Sequence, residues 1–85
     1  MKLDDIPQAL KGKKFLRVEI SYTNLEGERK VDMFYITPES LTQFPEQIFP
    51  YDSIYFRKGS KDPVPINIPR AFYAHNIDKI TLLKK

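Results

Sequence analysis

The sequence predicts a mainly β protein, a small barrel-like or strongly curved antiparallel sheet of about five strands with one or two short helical turns. Two observations carry most of that expectation. In Leu16-Arg17-Val18-Glu19-Ile20-Ser21-Tyr22 apolar residues alternate with polar ones, the two-residue period of a strand with one buried face. Across a break at Thr23-Asn24-Leu25-Glu26-Gly27-Glu28, residues 29–36 form a second run rich in β-branched and aromatic side chains. Together they read as a β-hairpin. Further short extended runs at 53–58, 64–68 and 77–83 supply the remaining strands.

Residues 1–85 are expected to form one small domain, with residues 1–13 as a mobile arm. Within the arm, Asp4 or Asp5 can cap a short turn through Gln8-Ala9-Leu10, and Gly12 can end it. Lys11, Lys13 and Lys14 then cluster ahead of the first strand.

The preferred hairpin register sets Ile20 opposite Val31, Val18 opposite Met33 and Leu16 opposite Tyr35, all facing inward. It leaves Asn24 to Gly27 as a four-residue loop whose last residue, Gly27, takes a left-handed backbone. It also sets Glu19 against Asp32, an unfavourable like-charged pair. A slide of two residues, with Ile20 opposite Met33, removes that pair but needs Glu26-Gly27 as a tight two-residue turn. In the preferred register Phe34 and Ile36 point outward. The second strand is then apolar on both sides, and its outer side must be covered by residues 38–49 or by a partner subunit.

Thr37-Pro38-Glu39 is a helix-start signal: a hydroxyl N-cap, proline in the first helical position and an acid in the first turn. Leu41, Phe44 and Ile48 would share one helical face, but Pro45 divides the segment into two short turns, 38–44 and 45–49. Gly59-Ser60-Lys61-Asp62-Pro63 is a turn by composition. Pro65 and Pro69 cannot donate to a ladder, so residues 64–68 belong at a sheet edge. A short turn at 70–75 leads to the last strand, with Ile80 and Leu82 on one face. An extended run, a one-turn detour and a final strand are similar to the ends of many small β-barrels, Sm-like ones among them; this pattern has no invariant motif and identifies no family.

Hydrophobic residues at 41% and charged residues at 29% suit a soluble globular chain. Without cysteine there is neither a disulfide framework nor a thiolate metal site, so the core must come from aliphatic and aromatic residues. The N-terminus has no apolar run of signal-peptide length and no stretch is long enough to span a bilayer, so a cytoplasmic protein without a membrane partner is expected.

No catalytic group is expected. The serines lie outside any Gly-x-Ser-x-Gly context, and Gly12, Gly27 and Gly59 are too dispersed for a phosphate-binding loop. His75 stands alone and the carboxylates are scattered, so neither a metal nor a cofactor is expected, and His75 reads as a turn residue before the last strand. The leading expectation is a non-catalytic binding or adaptor module acting through protein–protein contacts, with a protein partner or a second copy seated on Phe34 and Ile36. The alternative is nucleic-acid binding. Lys11, Lys13, Lys14 and Arg17 form one basic group, and Arg57, Lys58 and Lys61 another. Tyr51 and Tyr55, on one face of their strand with Ser53 and Arg57 and opposite Ile54 and Phe56, supply surfaces on which bases stack.

Overall fold

A computed structural model of the chain describes residues 2–41 and 46–83. Its strands are β1 (Leu16–Thr23), β2 (Arg29–Ile36), β3 (Gln47–Ile48), β4 (Ile54–Phe56), β5 (Pro63–Pro65), β6 (Phe72–Tyr73) and β7 (Ile77–Leu82), preceded by a short helix α1 (Ile6–Leu10). β1 lies at the centre of an antiparallel three-stranded sheet in the order β2-β1-β7. Two small antiparallel pairs accompany it, β3 with β6 and β4 with β5. The fold is mainly β, as the alternation predicts. Among the described residues the three sheets are separate and none closes into a barrel. Tyr35 exchanges backbone hydrogen bonds of 2.8 Å with Tyr51, which joins β2 to the following chain as an isolated bridge. Pro63 and Pro65 limit what β5 can add to a ladder.

The hairpin register differs from both expected alternatives and lies between them. Ile20 is opposite Asp32, Val18 opposite Phe34 and Leu16 opposite Ile36. The turn is the physical reason. The Gly27 N–H donates to the Asn24 carbonyl at 3.0 Å, and the Asn24 N–H donates to the Glu28 carbonyl at 2.9 Å. The Asn24 side-chain oxygen accepts from the Glu26 and Glu28 N–H groups, each at 2.9 Å. Leu25, Glu26 and Gly27 are therefore the loop, with Gly27 at φ +81° in the left-handed position that follows a type I turn. The left-handed role of Gly27 holds, but the loop is not the four-residue one. A one-residue change of register turns every side chain of β2 over. Phe34 and Ile36 are therefore corrected from outward to inward, each fully buried, while Val31 and Met33 are 57% and 41% exposed. Glu19 now faces Met33 instead of Asp32.

The core is built on the even face of β1. Leu16, Val18, Ile20 and Tyr22 pack with Phe34, Ile36, Ile48, Phe72 and Ile80. Ile6 and Leu10, four residues apart on α1, complete it, so the first residues are not the expected free arm. Pro7 sits in the first turn of α1, where its missing N–H costs nothing, and Gly12 at φ +78° turns the chain after it. The helix signal at Thr37 yields a single 3-10 turn, Pro38–Ser40, in which the Thr37 N–H donates to Ser40 Oγ at 3.0 Å. The second expected turn, 45–49, instead contains strand β3 at Gln47–Ile48, drawn into pairing with β6 as Ile48 enters the core. Phe44 and Pro45 lie outside the described residues.

Tyr22, Phe34 and Phe72 meet edge to face, with the Tyr22 and Phe72 rings 4.9 Å apart and those of Phe34 and Phe72 5.3 Å apart. The Arg70 guanidinium lies over all three rings, 5.3 Å from the centre of Phe34 and 5.4 Å from those of Tyr22 and Phe72. Tyr22 Oη donates to Asp32 at 2.8 Å and accepts from Arg70 at 3.2 Å. Burial, reinforced by the bond to Asp32, raises the Tyr22 pKa above the ordinary tyrosine value. Among the described residues no helix is long and apolar enough to cross a membrane.

Ile6→Ala tests the docking of α1. Loss of a fully buried isoleucine from a packed core lowers the unfolding free energy by about 2–5 kcal/mol, read by urea denaturation. An unchanged midpoint would mean that the first helix does not belong to the core.

Candidate anion-binding groove

The chain leaves α1 through Gly12 and runs as Lys13-Lys14-Phe15 into β1. Phe15 and Arg17 share the odd, outer face of that stretch, opposite the core-facing Leu16 and Val18. Tyr35 stands opposite Arg17 on β2, and its ring lies 5.6 Å from that of Phe15. β4 places Phe56 on the other side of Phe15, 5.7 Å between ring centres, and leaves Phe56 50% exposed. β7 runs out beside β1, where the Leu83 N–H donates to the Arg17 carbonyl at 2.8 Å.

These elements enclose an open groove of about 600 Å³. Phe15, Phe56, Leu16, Leu82 and Leu83 give it apolar walls, and Lys13, Lys14, Arg17 and Lys61 give it four cations. No acidic side chain lines it. Lys14 also reaches Asp62 at 2.8 Å, an exposed pair that water screens and that binds Lys14 only weakly. Arg17 is different. Its side chain is half-buried, its Nε has no hydrogen-bond partner, and its Nη2 meets only the Met33 sulfur at 3.4 Å. Among the described residues it forms no ion pair. With its Nε closed to solvent, Arg17 brings to the groove its positive charge and its outer guanidinium nitrogens, which favour an anion there.

The two basic groups of the sequence thus meet in part. Lys13, Lys14 and Arg17 from the first and Lys61 from the second line the same groove. Lys11 is exposed at the end of α1, and Arg57 and Lys58 are exposed ahead of Gly59; none of the three lines it. Tyr51 is half-buried with its backbone bridged to Tyr35, and Tyr55 alternates with Phe56 along β4, so the expected tyrosine row does not join these cations. Phe15 and Phe56 supply the aromatic surfaces instead. Phe15 could have been found from its adjacency to Lys14 and its shared parity with Arg17. Phe56, placed with Ile54 on the face opposite Tyr55 and Arg57, could not.

A second, smaller depression of about 320 Å³ is lined by Lys2, Asp4, Asp78 and Lys79 beside Leu3, Ile77 and Ile80, and its mixed charges favour no one class of ligand. His75 lies in a 3-10 turn, Ala74–Asn76, just before β7, with its ring stacked on Tyr73, so the turn reading of this residue holds. Among the described residues no three His, Asp or Glu side chains converge to hold a metal ion. The chain matches no protein-family model, no curated protein and no solved structure, so the groove is read from its own chemistry.

Because Arg17 has no acidic partner to orphan among the described residues, Arg17→Met is expected to leave the unfolding free energy unchanged or raise it by about 1 kcal/mol. Thermal and urea denaturation check this, and a loss of about 2 kcal/mol or more would assign Arg17 a structural role instead.

Proposed function

We propose that this protein is a non-catalytic binding module that takes single-stranded nucleic acid in the groove between β1, β4 and the end of β7. One observation carries the reading: cations distant in sequence, Lys13, Lys14, Arg17 and Lys61, line the same groove as two aromatic rings, one of them half-exposed. Single strands need both parts. Phosphates are neutralised by the cations, with release of their counterions, and a base stacks on an aromatic face whatever its sequence. Phe56 is the stacking surface, Lys13, Lys14 and Lys61 contact the backbone, and Arg17 takes a phosphate on its outer guanidinium nitrogens. Tyr51, Tyr55, Arg57, Lys58 and Lys11 have no part in the contact. The protein-interface reading centred on Phe34 and Ile36 loses its support, because both side chains are buried.

Fluorescence anisotropy with labelled random single-stranded DNA and RNA, at several salt concentrations, is the test. With four phosphates neutralised, log K falls against log salt with a slope of about −3. Phe56→Ala weakens binding about 10- to 100-fold, and Lys13→Glu with Lys61→Glu abolishes it. Tyr55→Ala and the pair Arg57→Glu, Lys58→Glu leave the Phe56 contribution intact. Absence of binding at low salt, or binding that Phe56→Ala and the Lys13 and Lys61 reversals do not touch, would refute the proposal.

A further inference from the structure

β2 is an outer strand of the three-stranded sheet, and its far side is occupied at Tyr35 by the bridge to Tyr51. Tyr35 uses both its backbone N–H and its C=O in that bridge, so the backbone groups of Tyr35 point away from β1. The carbonyl of Arg17, opposite Tyr35, is correspondingly turned the other way, toward Leu83. Every second residue of a strand repeats the orientation, so Arg29, Val31 and Met33 also direct their backbone donors and acceptors to the outer edge. Among the described residues no strand pairs with that edge from Arg29 to Met33. The same odd residues carry exposed apolar side chains, Val31 and Met33, which makes this edge a template for a further strand.

The charges say which strand fits. The open stretch reads Arg29-Lys30-Val31-Asp32-Met33, with a cation and an anion placed symmetrically about its midpoint. An antiparallel pairing of two copies about Val31 sets Lys30 of each against Asp32 of the other and Val31 against Val31. Centring the pair on Lys30 would set Lys30 against Lys30, and centring it on Asp32 would set Asp32 against Asp32. Opposite charges across a strand pair stabilise it and like charges destabilise it, so only the Val31 register is favoured. We propose that two copies of this chain associate through their β2 edges, antiparallel about Val31, to extend the sheet across the two-fold axis. About six backbone hydrogen bonds form, and Val31 and Met33 of both copies gather on the outer face. Asp32 also keeps Tyr22 as its hydrogen-bond donor and Arg70 at 4.0 Å, which holds its carboxylate at the rim of the edge. This association is independent of the groove.

The experiment is light scattering and sedimentation equilibrium of the whole protein from micromolar to millimolar concentration at low and high salt. A 10.0 kDa chain is expected to approach twice that mass as concentration rises, with weaker association at high salt. Lys30→Glu replaces two opposite-charge pairs by two like-charge pairs and raises the dimer dissociation constant about tenfold, and adding Asp32→Lys restores it. Val31→Pro removes an N–H that points to the open edge and none that bonds to β1, so it abolishes the dimer in a protein that still folds. Should the double charge variant fail to fold, Val31→Pro decides alone. A chain that stays monomeric at millimolar concentration and low salt overturns the proposal, and so does a dimer that survives Val31→Pro.

Discussion

The five-residue turn from Asn24 to Glu28 sets the hairpin, and much of the structure follows from it. The Asn24 side chain holds two backbone N–H groups of the turn, and Gly27 accepts the left-handed conformation that an L side chain resists. That turn fixes which residue of β2 meets which residue of β1. With Ile20 opposite Asp32, Phe34 and Ile36 face the core; one residue either way, they would face solvent. The aromatic cluster of Tyr22, Phe34 and Phe72 beneath Arg70 exists only in this register, and so does the hydrogen bond from Tyr22 to Asp32.

The same register divides the outer face of the hairpin into two regions of different character. At the open end of the hairpin, Phe15, Arg17 and Tyr35 lie beside Phe56 and the end of β7, and the lysines before β1 line one groove with Lys61. At the turn end, Val31 and Met33 stay uncovered along an unpaired edge. Exposed apolar groups and an unpaired cation both carry a free-energy cost in the isolated chain, and both costs fall when a partner is present. An anion bound in the proposed groove would offset the first region's cost, and the proposed pairing of a second copy the other's.

Much of the β architecture was legible in the sequence. The alternation in β1 named its buried face, the two long strands and β7 fall close to where composition put them, and Gly27 was legible as a left-handed turn residue. The register was not legible, because β2 is apolar at odd and even positions alike: Val31, Met33 and Tyr35 compete with Phe34 and Ile36 for the core. The hydrogen bonds of the Asn24 side chain break that tie, and they are a property of the folded turn. The docking of α1 had a signal in the four-residue spacing of Ile6 and Leu10, too short a pattern to separate a core helix from a frayed end. β3 and β6 had none, since a two-residue pairing is made by its partner and not by local propensity. The groove was half legible: its basic groups could be named, but their meeting at Phe15 and Phe56 is a tertiary fact.

The proposed groove, and no other surface, is expected to hold the nucleic-acid strand. Backbone amide chemical-shift mapping of the protein during titration with an oligothymidylate at low salt tests it most directly. Binding in the groove gives the largest shifts at Lys13, Phe15, Arg17, Phe56, Lys61 and Leu83, reversed by added salt. Shifts centred on Tyr55, Arg57 and Lys58, or a spectrum that does not change at saturating oligonucleotide, would contradict it.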